Sequence, residues 1–338
     1  MIGEVKSEVR GSSRLSVAPM MDWTDRHCRM LHRQLSAHAL LYTEMVTAPA
    51  LVRGGAVHLL EHDPREAPVA LQLGGSDPGE LAEAARLGAE AGYAEINLNC
   101  GCPSDRVQSG CFGAVLMERS ALVADCVAAM IAKVPRGVPV TVKCRIGVDD
   151  QAPEEVLPDF LSRIRAAGVD RVQIHARKAW LQGLSPKENR DIPPLDYDLV
   201  VAMKTAYPDL HISLNGGIQS LDEAESLLAR GIDGVMVGRA AYQRPFDILA
   251  EADARIFGAP TRRRAPAEVV AAMEPYFADH LARGGRLHQV TRHMLGLFAG
   301  RPGARGWRRV LSERAHRPDA GLDVLRAALA ETEGAAVA

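Results

Sequence analysis

The chain has 338 residues, with 40 Lys+Arg against 42 Asp+Glu for a formal net charge of −2, and 47% of it is hydrophobic. That is the composition of a soluble globular protein with room for one large domain and a smaller one. It argues against a membrane-spanning chain, since no run approaches about 20 apolar residues. The opening MIGEVKSEVRGSSRLS has no apolar stretch of the signal-peptide kind, so a cytoplasmic location is expected.

In chain order, short β-rich runs are predicted at Leu15–Ala18, Leu40–Glu44, Val69–Leu73, Glu95–Asn99, Val138–Lys143, Arg171–His175, His211–Asn215 and Gly234–Gly238. Amphipathic helical stretches lie between them, at Asp77–Glu90, Ser120–Val134, Glu154–Ala167 and Ser220–Arg230. Ser76-Asp77-Pro78 is a start signal, and Ser220 with Glu223 reads as a capping box. Gly92, Gly168 and Gly231 fit left-handed caps at helix ends. Eight such units in about 240 residues match an α/β TIM barrel, (β/α)8, better than a doubly wound sheet. No G-x-G-x-x-G follows the first strand, as a Rossmann fold requires. Polar and Gly-rich residues cluster after the strands, at the face where barrel chemistry takes place.

Beyond Phe257-Gly-Ala-Pro260 no strand-like run appears. Helical periodicity takes over in AEVVAAMEPYFADHLARGG, LHQVTRHMLGLFAG and LDVLRAALAET, so the expected domains are a barrel over 1–258 and a small all-helical domain over 262–338. The near-zero charge is unevenly distributed. Residues 1–261 hold 27 Lys+Arg and 34 Asp+Glu, a net of −7, whereas residues 262–317 hold 12 Arg and 4 acids, a net of +8. The last 21 residues return −3. Such asymmetry suits a polyanionic partner, although an Arg-rich solvated helical surface gives the same count. Arg262, Arg263 and Arg264 stand at the junction.

Cysteines occur at 28, 100, 102, 111, 126 and 144, with no C-x-x-C spacing for zinc or redox chemistry. Free thiols are expected, with Cys28, Cys126 and Cys144 as small buried hydrophobes. His58, Glu61 and His62 match H-x-x-E-H, but Asp63-Pro64 follows at once and no third ligand is evident, so no metal site is expected.

Asn215-Gly216-Gly217 and Gly238-Arg239 end the seventh and eighth strands, where barrels commonly bind phosphate through backbone N–H groups; two ordinary Gly turns are the plainer alternative. Lys143 and His175 end the fifth and sixth strands and suit an anionic ring or a phosphate oxygen, or are structural. Gln72 can hydrogen-bond a planar heterocycle or tie down a loop. Cys102 sits in a Gly-Cys-Pro turn after the fourth strand. A thiol there can donate a proton to a developing carbanion as well as act as a nucleophile. Cys100 is a second thiol beside it, and the turn between the two leaves the direction of its side chain open.

NLNCGCPSDRVQSG, with APMMDWTDRHCR, LLYTEMVT, VALQLGGSDP, VTVKCRIGVDDQ, IHARKAWLQGLSPKENR, NGGI and DGVMVGRAAYQ, resembles the tRNA-dihydrouridine synthase family. The match runs from about residue 14 to beyond 310 and includes HMLGLFAGRPGARGWRR. This resemblance implies an FMN-dependent barrel, a helical tRNA-binding domain, and NADPH as reductant. It implies FMN contacts from Ala18, Pro19, Met20, Gln72, Lys143 and His175, and phosphate contacts from Asn215, Gly216, Gly217, Gly238 and Arg239. Cys102 matches the family's proton donor and Asn99 a residue that touches the target nucleotide. Lys187, Arg190, Arg305 and Arg308 resemble tRNA-holding positions. Cys111 stands where a basic residue is common, which puts one anion contact in doubt. The rival readings are an FMN barrel acting on a free pyrimidine or enone, a non-catalytic tRNA-binding barrel, and a zinc peptidase.

Overall fold

A computed structural model describes residues 11–104, 110–260 and 264–334. Residues 105–109 of the NLNCGCPSDRVQSG segment, and Arg262 and Arg263 of the junction, lie outside the described residues.

Eight parallel strands close into a barrel in simple sequential order. They are β1 (Leu15–Val17), β2 (Leu40–Thr47), β3 (Val69–Gly74), β4 (Glu95–Cys100), β5 (Val140–Arg145), β6 (Arg171–His175), β7 (His211–Asn215) and β8 (Gly234–Val237). Strand β8 pairs back onto β1, with Leu15 opposite Val235. The predicted strands agree with these closely, except that β2 and β5 continue further, to Thr47 and Arg145.

Strands β4 to β7 alternate strictly in sequence, and the alternation has a structural meaning. Ile96, Leu98 and Cys100, like Val140, Val142 and Cys144, are fully or nearly fully buried in the layer between strands and helices. The intervening polar residues point to the barrel axis. Asn97 on β4 donates to Gln173 on β6 at 2.9 Å, and these strands are not neighbours, so the bond crosses the interior. Lower down, Glu95 accepts from Tyr42 at 2.6 Å and also pairs with Arg171 and Thr141. Buried polar groups must find partners, and here they find one another across the axis.

Helix starts follow the sequence signals. Asp77 caps Pro78–Glu90 by accepting from Glu80 N–H at 2.8 Å. Ser220 accepts from Glu223 N–H at 3.2 Å, but the return half of the expected box is shifted: the Glu223 carboxylate takes the Gln219 N–H instead. Gly92, Gly168 and Gly231 all have positive φ, as left-handed caps need.

Helices Pro266–Ala282, Ala304–Arg314 and Leu322–Gly334 make up the C-terminal region. Gly303 at the start of the second has φ 73°, and a Cβ there would stand 2.4 Å from Thr332 Cα, so glycine lets two of these helices touch. The predicted helical run LHQVTRHMLGLFAG is largely not helical. Only Leu287–Thr291 forms a helix, and the chain then proceeds through successive three-residue turns. At Gly296 the backbone passes so near Gln243 that a Cβ would lie 2.1 Å from its carbonyl oxygen. The Met294 carbonyl also accepts from the Trp307 indole at 2.9 Å. Packing against the barrel therefore overrides helical periodicity.

The barrel and this helical region share one continuous apolar core. Asp25 joins them. Its Oδ1 caps the helix Arg26–Leu35 through His27 and Cys28 N–H, while its Oδ2 accepts from Arg292 at 2.6 Å and His293 at 3.0 Å. Among the described residues, no helix is long and apolar enough to cross a membrane.

Candidate active site at the barrel mouth

The turn after β4 is built around Asn99. Its Oδ1 accepts from the backbone N–H of both Gly101 and Cys102, each at 3.0 Å. Its Nδ2 donates to Gln72 Oε1 at 2.8 Å, and Gln72 Nε2 donates to Asn97 Oδ1 at 2.9 Å. The Gly101 carbonyl accepts from Arg145 Nε at 2.9 Å, and the Cys102 carbonyl from Ala114 N–H at 2.8 Å. Four backbone groups flanking the thiol are thus fixed, while the Cys102 side chain is half-buried, with Ser104 Oγ 3.5 Å from its Sγ. Cys100 is fully buried on the helix side of β4, where burial pushes its thiol well above the usual range. Cys28, Cys126 and Cys144 are likewise fully buried, and Cys111 is exposed with φ 57°.

Lys143 and His175 come together as expected. Burial, reinforced by the neighbouring Arg145, brings the Lys143 ammonium down to about 8. Burial and the charges of Arg145, Lys143, Arg177 and Arg190 hold His175 well below its ordinary value, so its imidazole is neutral. Among the described residues Lys143 forms no ion pair. Among the described residues, the mouth therefore carries an excess of positive charge.

The expected phosphate loops stand side by side. Gly216 (φ 117°) and Gly217 (φ 74°) are left-handed, and a Cβ on Gly216 would lie 2.6 Å from the His175 ring. Tyr197 Oη donates to the Gly216 carbonyl at 2.5 Å and fixes that loop. A Cβ on Gly238 would stand in ordinary van der Waals contact with the Ala18 and Met20 side chains, at 3.8 and 3.9 Å. Ala18 N–H donates to the Val237 carbonyl at 2.9 Å, and Met20 is tied to Thr24 through both its N–H and its carbonyl. Pro19 lies between them, half-buried. Asn215 Nδ2 donates to the Met236 carbonyl at 2.7 Å, and Arg239 pairs with Asp191 at 2.8 Å.

FMN would bring a dianionic phosphate and a planar ring with an anionic reduced form. The residues present fit it. Among the described residues there is a half-buried ammonium at Lys143 with no ion-pair partner, a two-loop cradle that a side chain at Gly216 would fill, and a buried Gln173 Nε2 without a hydrogen-bond partner beneath the mouth.

Lys187 and Arg190 lie on the exposed loop after β6. Arg305 and Arg308 are exposed, three residues apart on Ala304–Arg314, and neither forms an ion pair among the described residues. Much of the other C-terminal positive charge is spent inside the molecule. Arg292 pairs with Asp25, Arg301 with Asp247 and Arg309 with Glu331. His58 and His62 do not share a helix, since only Val57–Leu60 is helical and His62 packs on Tyr93 with ring centroids 4.2 Å apart.

Sequence reasoning missed Arg145 and Asn189. Arg145 follows Lys143 by two along β5 and so faces the same way, which was the available signal. Its guanidinium is almost fully buried, has no carboxylate partner among the described residues, and bonds three carbonyls, of Gly101, Lys178 (2.9 Å) and Asn189 (3.0 Å). Asn189 is fully buried, and its amide holds Trp180 and Leu184.

The family model for dihydrouridine synthase (Dus) matches residues 16–333. The chain is similar to the tRNA-dihydrouridine(20/20a) synthase of Vibrio cholerae, 56% identical over 321 residues covering 95% of this chain and 97% of the relative. The enzyme of that name from Escherichia coli K12 is 56% identical over 325 residues, covering 96% and 93%. That from Shewanella oneidensis is 54% identical over 328 residues, covering 96% of each. With a barrel of this topology, a presented cysteine and a match along nearly its whole length, the chain belongs to the dihydrouridine synthase family.

Proposed function

We propose that this chain reduces uridine to 5,6-dihydrouridine in the D-loop of tRNA, at positions 20 and 20a, with bound FMN, NADPH as reductant and Cys102 as the acid. The observation that supports it best is the Cys102 turn: a half-buried thiol on a backbone fixed at four points, within electrostatic reach of Lys143, Arg145 and Arg190.

Held by these residues, FMN would supply the hydride that the C6 atom of uracil accepts, with NADPH as the reductant. Lys143, an ammonium with no carboxylate beside it among the described residues, would offset negative charge on the ring. His175 is held neutral and serves as a hydrogen-bonding group rather than a second cation. Gly216, Gly217 and Gly238 offer backbone N–H groups to the phosphate, and Arg239 adds a charged contact once its bond to Asp191 is shared or exchanged. The Cys102 thiol hands its proton to C5 as negative charge collects there, and solvent restores it. Asn99 holds the turn that carries the thiol, and its remaining amide hydrogen is available to the nucleotide.

A uridine within a folded loop must leave its stack to reach this mouth. Exposed Arg305 and Arg308, with Lys187 and Arg190 on the barrel rim, would hold the phosphates and set the orientation of the RNA, leaving the barrel to examine one base. The catalytic barrel and the tRNA-binding helical region thus divide the work. A membrane plays no part, and the cytoplasm is where substrate and reductant meet. Protein loaded with FMN should oxidise NADPH faster with unmodified tRNA than with free uridine. Equal rates on both would favour the free-pyrimidine reading.

A further inference from the structure

Trp180 is out of place in a purely structural account. Trp307 is fully buried and Trp23 stacks on Tyr242 with ring centroids 4.5 Å apart, whereas the Trp180 side chain remains 36% exposed. Nor is its exposure a consequence of a loose loop. Trp180 N–H donates to Asn189 Oδ1 at 2.7 Å, and its carbonyl accepts from Asn189 Nδ2 at 2.8 Å. Ala179 and Leu181 on either side are buried. Ala179 bonds Gly147 and Asp149 through its backbone, and Leu181 N–H donates to Asp149 Oδ1 at 2.7 Å. The backbone is fixed at every residue and the indole is left facing out.

We propose that Trp180 is a nucleobase-stacking platform at the rim of the site, taking the face of a base adjacent to the uridine that enters the barrel. This rests on the tRNA reading above and deepens it. Three observations carry it. The loop is at the catalytic face, immediately after β6, and bears the exposed cations Lys187 and Arg190. Lys178 Nζ lies 5.4 Å from the centre of the Trp180 ring, so the platform is aromatic and cationic together, the combination that single-stranded nucleic acid binds. Most telling, Arg145 bonds the carbonyls of Gly101, Lys178 and Asn189. One buried side chain thereby fixes the platform at a set distance from the turn that presents Cys102. A base stacked on Trp180 would locate its neighbour relative to the thiol, and stacking would return part of the cost of unstacking the target.

The test uses FMN-loaded protein, unmodified tRNA and the variants Trp180→Ala and Trp180→Phe, whose FMN content and NADPH oxidation without tRNA should equal the wild type. For Trp180→Ala the KM for tRNA should rise roughly tenfold, as expected for loss of one base–aromatic stack. Trp180→Phe should recover most of that loss. Adding tRNA should quench the wild-type tryptophan fluorescence, and the quenching should be largely absent from Trp180→Phe. If Trp180→Ala does not fold, the fluorescence comparison decides alone. An unchanged KM in Trp180→Ala, or equal quenching in wild type and Trp180→Phe, overturns the platform while leaving the function standing. Wild-type protein that neither binds tRNA nor forms dihydrouridine overturns both.

Discussion

The carboxamide oxygen of Asn99 accepts hydrogen bonds from the N–H groups of both Gly101 and Cys102, each at 3.0 Å. One strand-end side chain therefore shapes the turn that presents the thiol. Asn99→Ala would leave two N–H groups unsatisfied, at about 1–3 kcal/mol each where water cannot reach them. A turn displaced by about 1 Å can lower turnover roughly 100-fold. We expect Asn99→Ala to lose kcat with little change in KM for tRNA, and to alter the rate at which Cys102 is alkylated in the absence of tRNA. A large KM increase with an unchanged kcat and alkylation rate would make Asn99 a substrate contact alone.

Two cysteines two residues apart behave oppositely. Cys100 is fully buried with its thiol pushed well above the ordinary range, whereas Cys102 is half-buried at the mouth. Cys102→Ala should keep FMN and NADPH oxidation and lose uridine reduction. Cys100→Ala should keep all three and cost stability, as truncation in a packed layer does. Product formed by Cys102→Ala and not by Cys100→Ala would reverse the assignment.

Lys143 gives a pH dependence whose sign can be worked out. Burial lowers its pKa to about 8, so the lone protonated ammonium is disfavoured in the folded protein. An anionic ligand beside it stabilises the protonated form and raises the pKa. Affinity is then greatest below about 8 and declines as pH rises through that value. Titrating FMN into the apoprotein between pH 6.5 and about 9 should show this decline, and Lys143→Met should bind more weakly with a flatter profile. An equal slope in both proteins would assign the effect elsewhere.

Among the described residues, Arg305 and Arg308 remain free of ion pairs where Arg292, Arg301 and Arg309 do not. Replacing both with Gln should weaken tRNA binding and lower the slope of log K against log salt by about 2, one for each phosphate contact. FMN content should not change. An unaltered salt slope would place the RNA on another face.

How much of this could be read from the sequence depends on the range of the interaction. Strand ends and helix caps are local, so Asp77, Gly92 and the boundaries of β6 and β7 agree with the residue pattern. The Asn97–Gln173 bond across the barrel and the Arg145 clamp join residues far apart in the chain, and periodicity carries no information about such pairs. The run after Leu287 reads as a helix because its apolar spacing is helical, yet close approach of Gly296 to Gln243 breaks it into turns. The positive surplus of residues 262–317 was legible as a sum, but not how much of it is neutralised by acids on the barrel, such as Asp25 and Asp247.

The most direct measurement is to incubate FMN-loaded protein with NADPH and unmodified tRNA, then map dihydrouridine along the RNA by mass spectrometry. The account predicts modification at positions 20 and 20a by wild type and Cys100→Ala, and none by Cys102→Ala. A fully loaded wild-type protein that oxidises NADPH yet leaves every uridine of the tRNA unchanged would contradict it.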